Sequence, residues 1–511
     1  MESSELHGVR GTHDVLPPAR SSQQLVQSQM GRVFDLYGYQ AIDTPVLETT
    51  DLFLRKSGEE IAARMYSFTH WNRSLCLRPE FTASVIRAYV NHLQDQPLPV
   101  RLQYAGPTFR YEKPQHGRHR QFTEVGVECV GAGGAGADAE ILAIARHGLD
   151  AVGLPNARFV VGHLGAVLEF LGQLGMEARA QSLVLGVMEH LSRSPGEEAR
   201  IVTRLAAMLG AGDEADLPDT HALADLIQAF GPEDAARIAG SLLEQANLSL
   251  EGGSRPPSEI VDRLLHKAHR VDPTPSLRKA IELIGRLRDV AGPPSTALPA
   301  LRRVLNDYGL HEAPVVEVEQ ALEFFNAYFD SPATVHVNLS LARGLRYYTG
   351  LVFEVYDESD VQIAGGGRYD DLVRALGSRT GQPACGFSYG LERVIEALAR
   401  RSPVSCADQN IVLVAPFGAE DYTTAAHLAG DLRRAGLAAE LDLRFRGPKA
   451  SLRHADRRAI PLVFLIGEAE RQDRSVVLRD MPHFQEQRIP LSDAPAAARA
   501  LLVGQLTGST E

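Results

Sequence analysis

Apolar residues along this 511-residue chain recur first with the period of a helix and then with the shorter period of strands. In "SSQQLVQSQMGRVFDLYG" (21–38) they fall three to four positions apart. The segment starts at Ser after a Pro-rich turn and stops at Gly38, the usual residue beyond a helix end. "YQAIDTPVLE" is extended and is broken by Pro45. "SLCLRPEFTASVIRAYVNHL" leads from a short strand through Pro79 into a helix whose apolar positions are Val85, Ile86, Tyr89 and Val90. "PVRLQYAGPTFRYEK" and "RQFTEVGVECVGA" read as two strands joined by a polar, basic connection. "ADAEILAIARHGLDAVG" is the helix that closes this first block, residues 1–152.

The texture changes at residue 153. Residues 153–332 are rich in Ala, Leu, Arg and Glu and are punctuated by "EGGSRPPS" and "AGPPSTALPA", which predicts a mostly helical insertion. Its amphipathic stretches, "VEVEQALEFFNAYF" among them, read as packing faces. Strands resume at "TVHVNLSL", continue through "GLVFEVYDES" and "VQIAGGGRYDDLV", and end in the helix "SYGLERVIEALARRS", so 333–403 completes the interrupted domain. Beyond Pro403 strands and helices alternate, from "NIVLVAPF" to "APAAARALLVGQL". That pattern predicts a separate α/β domain over 404–511 with a partly parallel sheet.

Composition narrows the function classes. A net charge of −12 argues against a protein that coats nucleic acid non-specifically, while leaving room for a local basic patch. Cys76, Cys129, Cys385 and Cys406 are scattered, with neither a CxxC pair nor zinc-finger spacing, so no disulfide framework and no protein-borne metal site is expected. The first twenty residues lack a secretory apolar core and no run is long enough to span a membrane, which points to a cytoplasmic protein without a membrane partner. GxGxxG after the first strand of the last domain and a P-loop are both absent.

Several segments carry candidate chemistry. "FRYEKPQHGRHRQF" (109–122) concentrates Arg110, Lys113, His116, Arg118, His119 and Arg120 between two apolar strands. Such a run is either a solvated face or an anion site suited to phosphates, and Gln115 and the arginines have the bidentate donors that read base edges. Three glycines in "IAGGGRYDDLV" are either a bulge or a place where a ligand approaches backbone that no Cβ obstructs. Arg393, in "GFSYGLERV", lies in an apolar helix, where a guanidinium has to meet an anion or a carboxylate. "LSLARGLRYYTG" (339–350) adds Arg343 and Arg346, either solvated strand residues or fixed cations. Arg110, Arg343 and Arg393 together form a candidate polyphosphate clamp.

In chain order, "LRPEFTA", "FRYEKPQHGRHRQF", "GVECVG", "LARGLRYYTG", "AGGGRYDDLV" and "GFSYGLERV" resemble the successive motifs of the histidyl-tRNA synthetase family, which are class II aminoacyl-tRNA synthetases. "VRGTHDVLPP" is similar to the family's opening, and "GPKASLRHADRRAIPLVFLIGEAE" to its anticodon-binding domain. The matches cover 9–150 and 333–500; the stretch 153–330 matches in position only. The resemblance implies an α+β fold: a class II catalytic domain, an antiparallel sheet flanked by helices, interrupted by the helical insertion and followed by an anticodon-binding-like α/β domain. It also implies ATP-dependent activation of histidine to histidyl-adenylate and transfer to histidine tRNA, with Mg2+ on the phosphates. A homodimer built on "FDLYGYQAIDTPVLE" is implied as well.

Carried over position by position, the resemblance puts Arg110 and Arg343 in catalysis. Arg110 and Glu112 bind ATP at its α-phosphate end, and Arg393 binds the γ-phosphate. Arg343 sits against the α-phosphate and the substrate carboxylate. Glu80, Thr82 and Glu124 surround the α-ammonium, while Glu128, Tyr347 and Tyr348 bracket the imidazole, and glycines 365–367, Gly365 and Gly366 chief among them, let the ring lie on backbone. Lys113, Gln115, Arg118 and Arg120 meet the tRNA acceptor end.

Three positions depart from the family. Glu124 and Arg346 stand where it has Gln and Asp, and Phe81 where bacterial members often have Gly. Glu124 and Arg346 are opposite changes, so a compensating ion pair between them is one expectation. A second function stays open: a paralogue of the synthetase serves as regulatory subunit of ATP phosphoribosyltransferase without making aminoacyl-tRNA. That paralogue normally lacks the last domain and has no need of the three phosphate arginines, which favours the synthetase.

Overall fold

A computed structural model describes residues 7–55, 63–112, 119–193, 196–210, 273–341, 347–401 and 411–507. The chain divides into two compact units, Met1–Pro403 and Val404–Glu511.

The first unit opens with α1 (Ala19–Leu36), which buries Val26, Met30 and Phe34 on one stripe. It ends where expected, with Gly38 at φ +78°, a conformation that costs a residue with a Cβ more than it costs glycine. Next come β1 (Gln40–Ala41), β2 (Leu47–Thr49), α2 (Thr50–Leu54), β3 (Ser67–His70), β4 (Arg73–Leu77) and α3 (Thr82–His92). Two ten-residue strands, β5 (Val100–Phe109) and β6 (Gln121–Val130), flank the basic connection, and α4 (Gly134–Val152) follows. The middle of the unit holds β7 (Arg158–His163), α5 (Gly165–Gln173), α6 (Ala178–Arg193), α7 (Glu198–Gly210), α8 (Thr274–Asp289), α9 (Pro294–Asp307) and α10 (Ala313–Asn326). It closes with β8 (Thr334–Val337), β9 (Leu351–Tyr356), β10 (Gln362–Arg368), α11 (Asp370–Ala375), β11 (Ala384–Gly390) and α12 (Leu391–Arg401).

Eight of these strands form one sheet in the order β1-β5-β6-β11-β10-β9-β7-β8. The six central strands run antiparallel to their neighbours, as expected, but each edge adds a parallel pair, β1 with β5 and β8 with β7. β2, β4 and β3 make a separate antiparallel sheet of three strands. Strand β7 falls inside the stretch whose composition reads as helical. Six residues of "RFVVGH" carry little weight among long Ala/Leu-rich helices, yet they pair with β9 in the main sheet.

One face of the main sheet is the core. Val125, Val127, Phe387 and Tyr389 are buried there, with Phe34 of α1 edge-on to Phe387 at 6.2 Å and stacked on Tyr389 at 6.4 Å. The Tyr389 hydroxyl donates to the Ala145 carbonyl of α4 at 2.7 Å, which satisfies a polar group that would otherwise be costly in the core.

In the second unit, β12 (Val412–Pro416), α13 (Tyr422–Arg434), β13 (Ala439–Leu441), α14 (Pro448–Arg457), β14 (Leu462–Ile466), α15 (Glu468–Gln472), β15 (Ser475–Asp480), β16 (Gln485–Pro490) and α16 (Ala494–Thr507) follow one another. The sheet order is β13-β12-β14-β15-β16; the first three strands are parallel and the last two pairs antiparallel. Its apolar strands and helices coincide with the alternating pattern.

A buried ion pair ties sheet to helix in the first unit. Arg368, at the end of β10, pairs with Asp138 of α4 at 2.8 Å and with Asp370 at 3.0 Å. Arg368→Met should cost about 3–5 kcal/mol in urea denaturation, because it strands the Asp138 carboxylate without a partner. Arg368→Met combined with Asp138→Asn should recover part of that loss; a single variant as stable as the native chain would contradict this role.

Candidate active site

The other face of the main sheet is paved with glycine. Glu128 of β6 stands opposite Leu102 of β5 and Gly386 of β11, and Gly386 stands opposite Gly367 of β10. The next row on that face is Tyr104, Gly126, Ser388 and Gly365, and the row after it begins Gly106, Glu124 and Gly390. Directly opposed residues share a face and alternate residues switch, so two carboxylates rise from a floor almost without side chains. A Cβ on Gly386 would lie 1.8 Å from Glu128 Oε2, and one on Gly126 would lie 2.7 Å from the Tyr104 hydroxyl. These glycines make room for the residues that the floor carries. Gly365 and Gly367 belong to that floor, whereas Gly366 points its missing side chain the other way. A Cβ there would lie 2.4 Å from Phe387 Cβ, so sheet packing requires it and its expected contact with the substrate ring is corrected.

Glu128 is fully buried. Thr82 and Tyr104 donate to its Oε1 at 2.7 and 3.1 Å, and the Tyr369 hydroxyl donates to Oε2. Burial nevertheless pushes its pKa up to about 8, against the pull of those hydrogen bonds. Tyr347, Tyr348 and Tyr369 pack around it, with ring centroids 4.9 Å apart for the first two and 5.6 Å apart for Tyr347 and Tyr369. Thr82, expected beside an ammonium, spends its hydroxyl on Glu128 here.

Glu80 lies at the entry of α3. Its Oε1 accepts the Ala83 backbone N–H at 3.1 Å, whereas its Oε2 is buried without a hydrogen-bond partner among the described residues. Burial, with the nearby Glu124 charge adding to it, lifts Glu80 to about 7. An unpaired buried oxygen of this kind fits a cationic donor from a ligand.

Arg110 follows β5. Its Nε donates to the Pro79 carbonyl at 2.8 Å, and its Nη2 pairs with Glu124 Oε1 at 3.1 Å. Glu124 therefore meets Arg110; Arg346, its expected partner, lies outside the described residues, as do Arg343, Lys113, Gln115 and Arg118. Glu112 pairs with Arg64 at 3.4 Å. Arg120 braces the start of the chain: its Nη1 donates to the Arg10 carbonyl at 2.9 Å, and its guanidinium lies 4.1 Å over the Tyr111 ring. Arg393 donates to the Gln362 carbonyl at 2.9 Å.

Phe81 has a structural reason. Its ring stacks on Tyr104 at 4.3 Å with 11° between planes, and the guanidinium of fully buried Arg78 covers it at 3.7 Å. Arg78, Tyr104 and Tyr369 are absent from the sequence-based site. A tyrosine in an apolar strand reads as core, and only the register that sets it beside Glu128 reveals its hydroxyl as a ligand.

A family model described as Histidyl-tRNA synthetase matches residues 11–246 and 235–394, and one described as Anticodon binding domain matches 411–501. A Methanocaldococcus jannaschii protein named histidine--tRNA ligase is 30% identical over 95% of this chain and 97% of its own length. One of the same name from Methanosarcina acetivorans is 31% identical over 95% and 96%. Among solved structures, apo histidyl-tRNA synthetase of S. aureus superposes with a TM-score of 0.62 at 24% identity, covering 96% of this chain and 99% of that one. A Bacillus halodurans protein described as an ATP phosphoribosyltransferase regulatory subunit/histidyl-tRNA synthetase gives 0.57 at 21%, covering 87% and 95%. The antiparallel-centred sheet with a helical layer on one face and a carboxylate-bearing face on the other is the fold of a class II aminoacyl-tRNA synthetase catalytic domain. Within that class, the chain belongs to the histidyl-tRNA synthetase family.

Gly386→Ala should destabilise the chain by about 1–3 kcal/mol, since its Cβ overlaps Glu128 and the carboxylate has to move. Gly390→Ala on the same strand meets Arg393 Cδ only at 3.7 Å and should be close to neutral. Equal thermal shifts for the two variants would contradict the packing described.

Proposed function

We propose that the chain is a histidine--tRNA ligase, which activates histidine with ATP and transfers it to histidine tRNA. The observation that carries the reading is the pocket: a buried oxygen of Glu80 suited to an ammonium, a hydroxyl-held carboxyl at Glu128 suited to an imidazole, and Arg110 at its edge. An imidazole needs hydrogen-bond partners at both nitrogens, and a buried polar pocket rejects side chains that leave its groups unpaired. Glu128 and Tyr348 are assigned to the ring, Glu80 to the ammonium, and the Gly365 and Gly367 floor to close approach.

In the proposed reaction a histidine carboxylate oxygen bonds to the α-phosphorus while the bond to the bridging β-phosphate oxygen breaks and pyrophosphate leaves. Arg110 and Arg343 stabilise charge on the α-phosphate, Arg393 holds the γ-phosphate, and Glu112 lies on the ATP side. One such preorganised donor is worth about 3–4 kcal/mol. Mg2+ would arrive on the nucleotide and supply further charge neutralisation. Among the described residues no three His, Cys, Asp or Glu side chains are grouped to hold a metal by themselves. Lys113, Gln115 and Arg118 are assigned to the acceptor end of the tRNA and the second unit to its anticodon, in a cytoplasmic homodimer. No helix among the described residues is long and apolar enough to cross a membrane.

The likeness to the B. halodurans protein keeps a regulatory role in view. The anticodon-binding match over 411–501 and the presence of Arg110 and Arg393 favour the ligase. Pyrophosphate exchange with each of the twenty amino acids separates the two. Exchange with histidine alone is expected. No exchange with histidine, under conditions where another histidine--tRNA ligase works, would favour the regulator.

A further inference from the structure

Glu124 stands at the junction of two sites. Its Oε1 pairs with Arg110 Nη2 at 3.1 Å, and its Oε2 accepts the backbone N–H of Phe81 at 3.3 Å. Phe81 is the residue next to Glu80, whose Oε2 is the buried oxygen without a partner among the described residues. One carboxylate therefore links the segment that would receive an ammonium to the arginine that would receive a phosphate. The Glu124 side chain is 7% exposed, so solvent screens its charge poorly.

Placing a phosphate on Arg110 sets a second anion on a guanidinium that already serves Glu124. The phosphate and Glu124 then compete for that guanidinium, with the partly ionised Glu80 nearby. Above about pH 7, where Glu80 is already ionised, an ammonium seated there reverses the balance by adding a cation on the other side of Glu124. The Phe81 ring, clamped between Arg78 and Tyr104, keeps this geometry from relaxing.

We propose that Glu124 is a positioning residue that couples the two substrates: its carboxylate opposes nucleotide binding until the amino-acid ammonium is in place, so histidine and ATP bind with positive cooperativity. The inference rests on the reading of this pocket as a histidine and ATP site. It goes beyond that reading by giving the pocket an order of filling.

Equilibrium binding to the full chain tests it, with histidine and α,β-methylene-ATP titrated alone and in each other's presence. In the native chain each ligand should tighten the other by the same factor, within about 5–150-fold. Glu124→Gln keeps the shape and removes the charge, so the nucleotide alone should bind more tightly and the coupling factor should fall towards one. Imidazolepropionate, which lacks the ammonium, should leave nucleotide affinity in the native chain unchanged, and this arm needs no variant to fold. Coupling that is unaltered in Glu124→Gln overturns the proposal. So does tightening by imidazolepropionate equal to that by histidine, or nucleotide binding that Glu124→Gln weakens. A native chain that binds neither histidine nor the nucleotide would overturn the functional reading itself, and this inference with it.

Discussion

A carboxylate fully buried in the middle of a sheet is the constraint around which the catalytic unit is arranged. Glu128 cannot be left unsatisfied there, because an isolated buried charge or donor costs several kcal/mol. Three hydroxyls converge on it, those of Thr82 in α3, Tyr104 in β5 and Tyr369 between β10 and α11. Each element is thereby fixed relative to β6, and the glycines opposite it follow, because any Cβ on Gly386 would occupy the carboxylate's place. Desolvation still outweighs the hydrogen bonds and raises Glu128 to about 8 and Glu80 to about 7. Both groups therefore stabilise the ligand-free fold fully below about pH 4.5, and that contribution is lost as pH rises through those values. The fold holds an acidic pocket in a partly protonated state until a cation arrives.

The same face carries its functional asymmetry. At one end, hydroxyls and tyrosine rings surround Glu128; at the other, Glu124 meets Arg110 at the start of the basic connection. Phe81 joins the two ends, stacked between Arg78 and Tyr104 and hydrogen-bonded through its backbone to Glu124. A larger aromatic residue at this position stiffens the wall of the pocket without entering the chemistry.

Elements with one apolar face were legible in the sequence: α1, α3, β5, β6, α4 and the alternating elements of the second unit. Strands without such a face were not. β3 is exposed at all four positions and β16 at nearly all of its six, so neither carries an apolar period to read. Among site residues, Glu80, Glu128, Arg110, Tyr347 and Tyr348 are neighbours in the structure. The role of Gly366 did not follow from its motif, since alternation along β10 sends it to the opposite face. The pairing of Glu124 with Arg110 was illegible because ion pairing depends on which loop ends meet across the sheet; its expected pairing with Arg346 lies outside the described residues. Arg120 read as part of a free basic loop, but its guanidinium closes onto the Arg10 carbonyl, a contact 110 residues away in sequence.

The central claim is that burial leaves Glu80 only partly ionised in the empty pocket at and below about pH 7 and that a substrate ammonium completes its ionisation. Calorimetric titration of histidine into the full chain, in buffers of different ionisation enthalpy, measures the protons released. Comparing the native chain with Glu80→Gln cancels protons that come from histidine itself. At about pH 6 the native chain should release up to about one proton more than the variant, and the difference should vanish by about pH 8.5, where Glu80 is already ionised. Equal proton release by the two chains at both pH values would contradict the account.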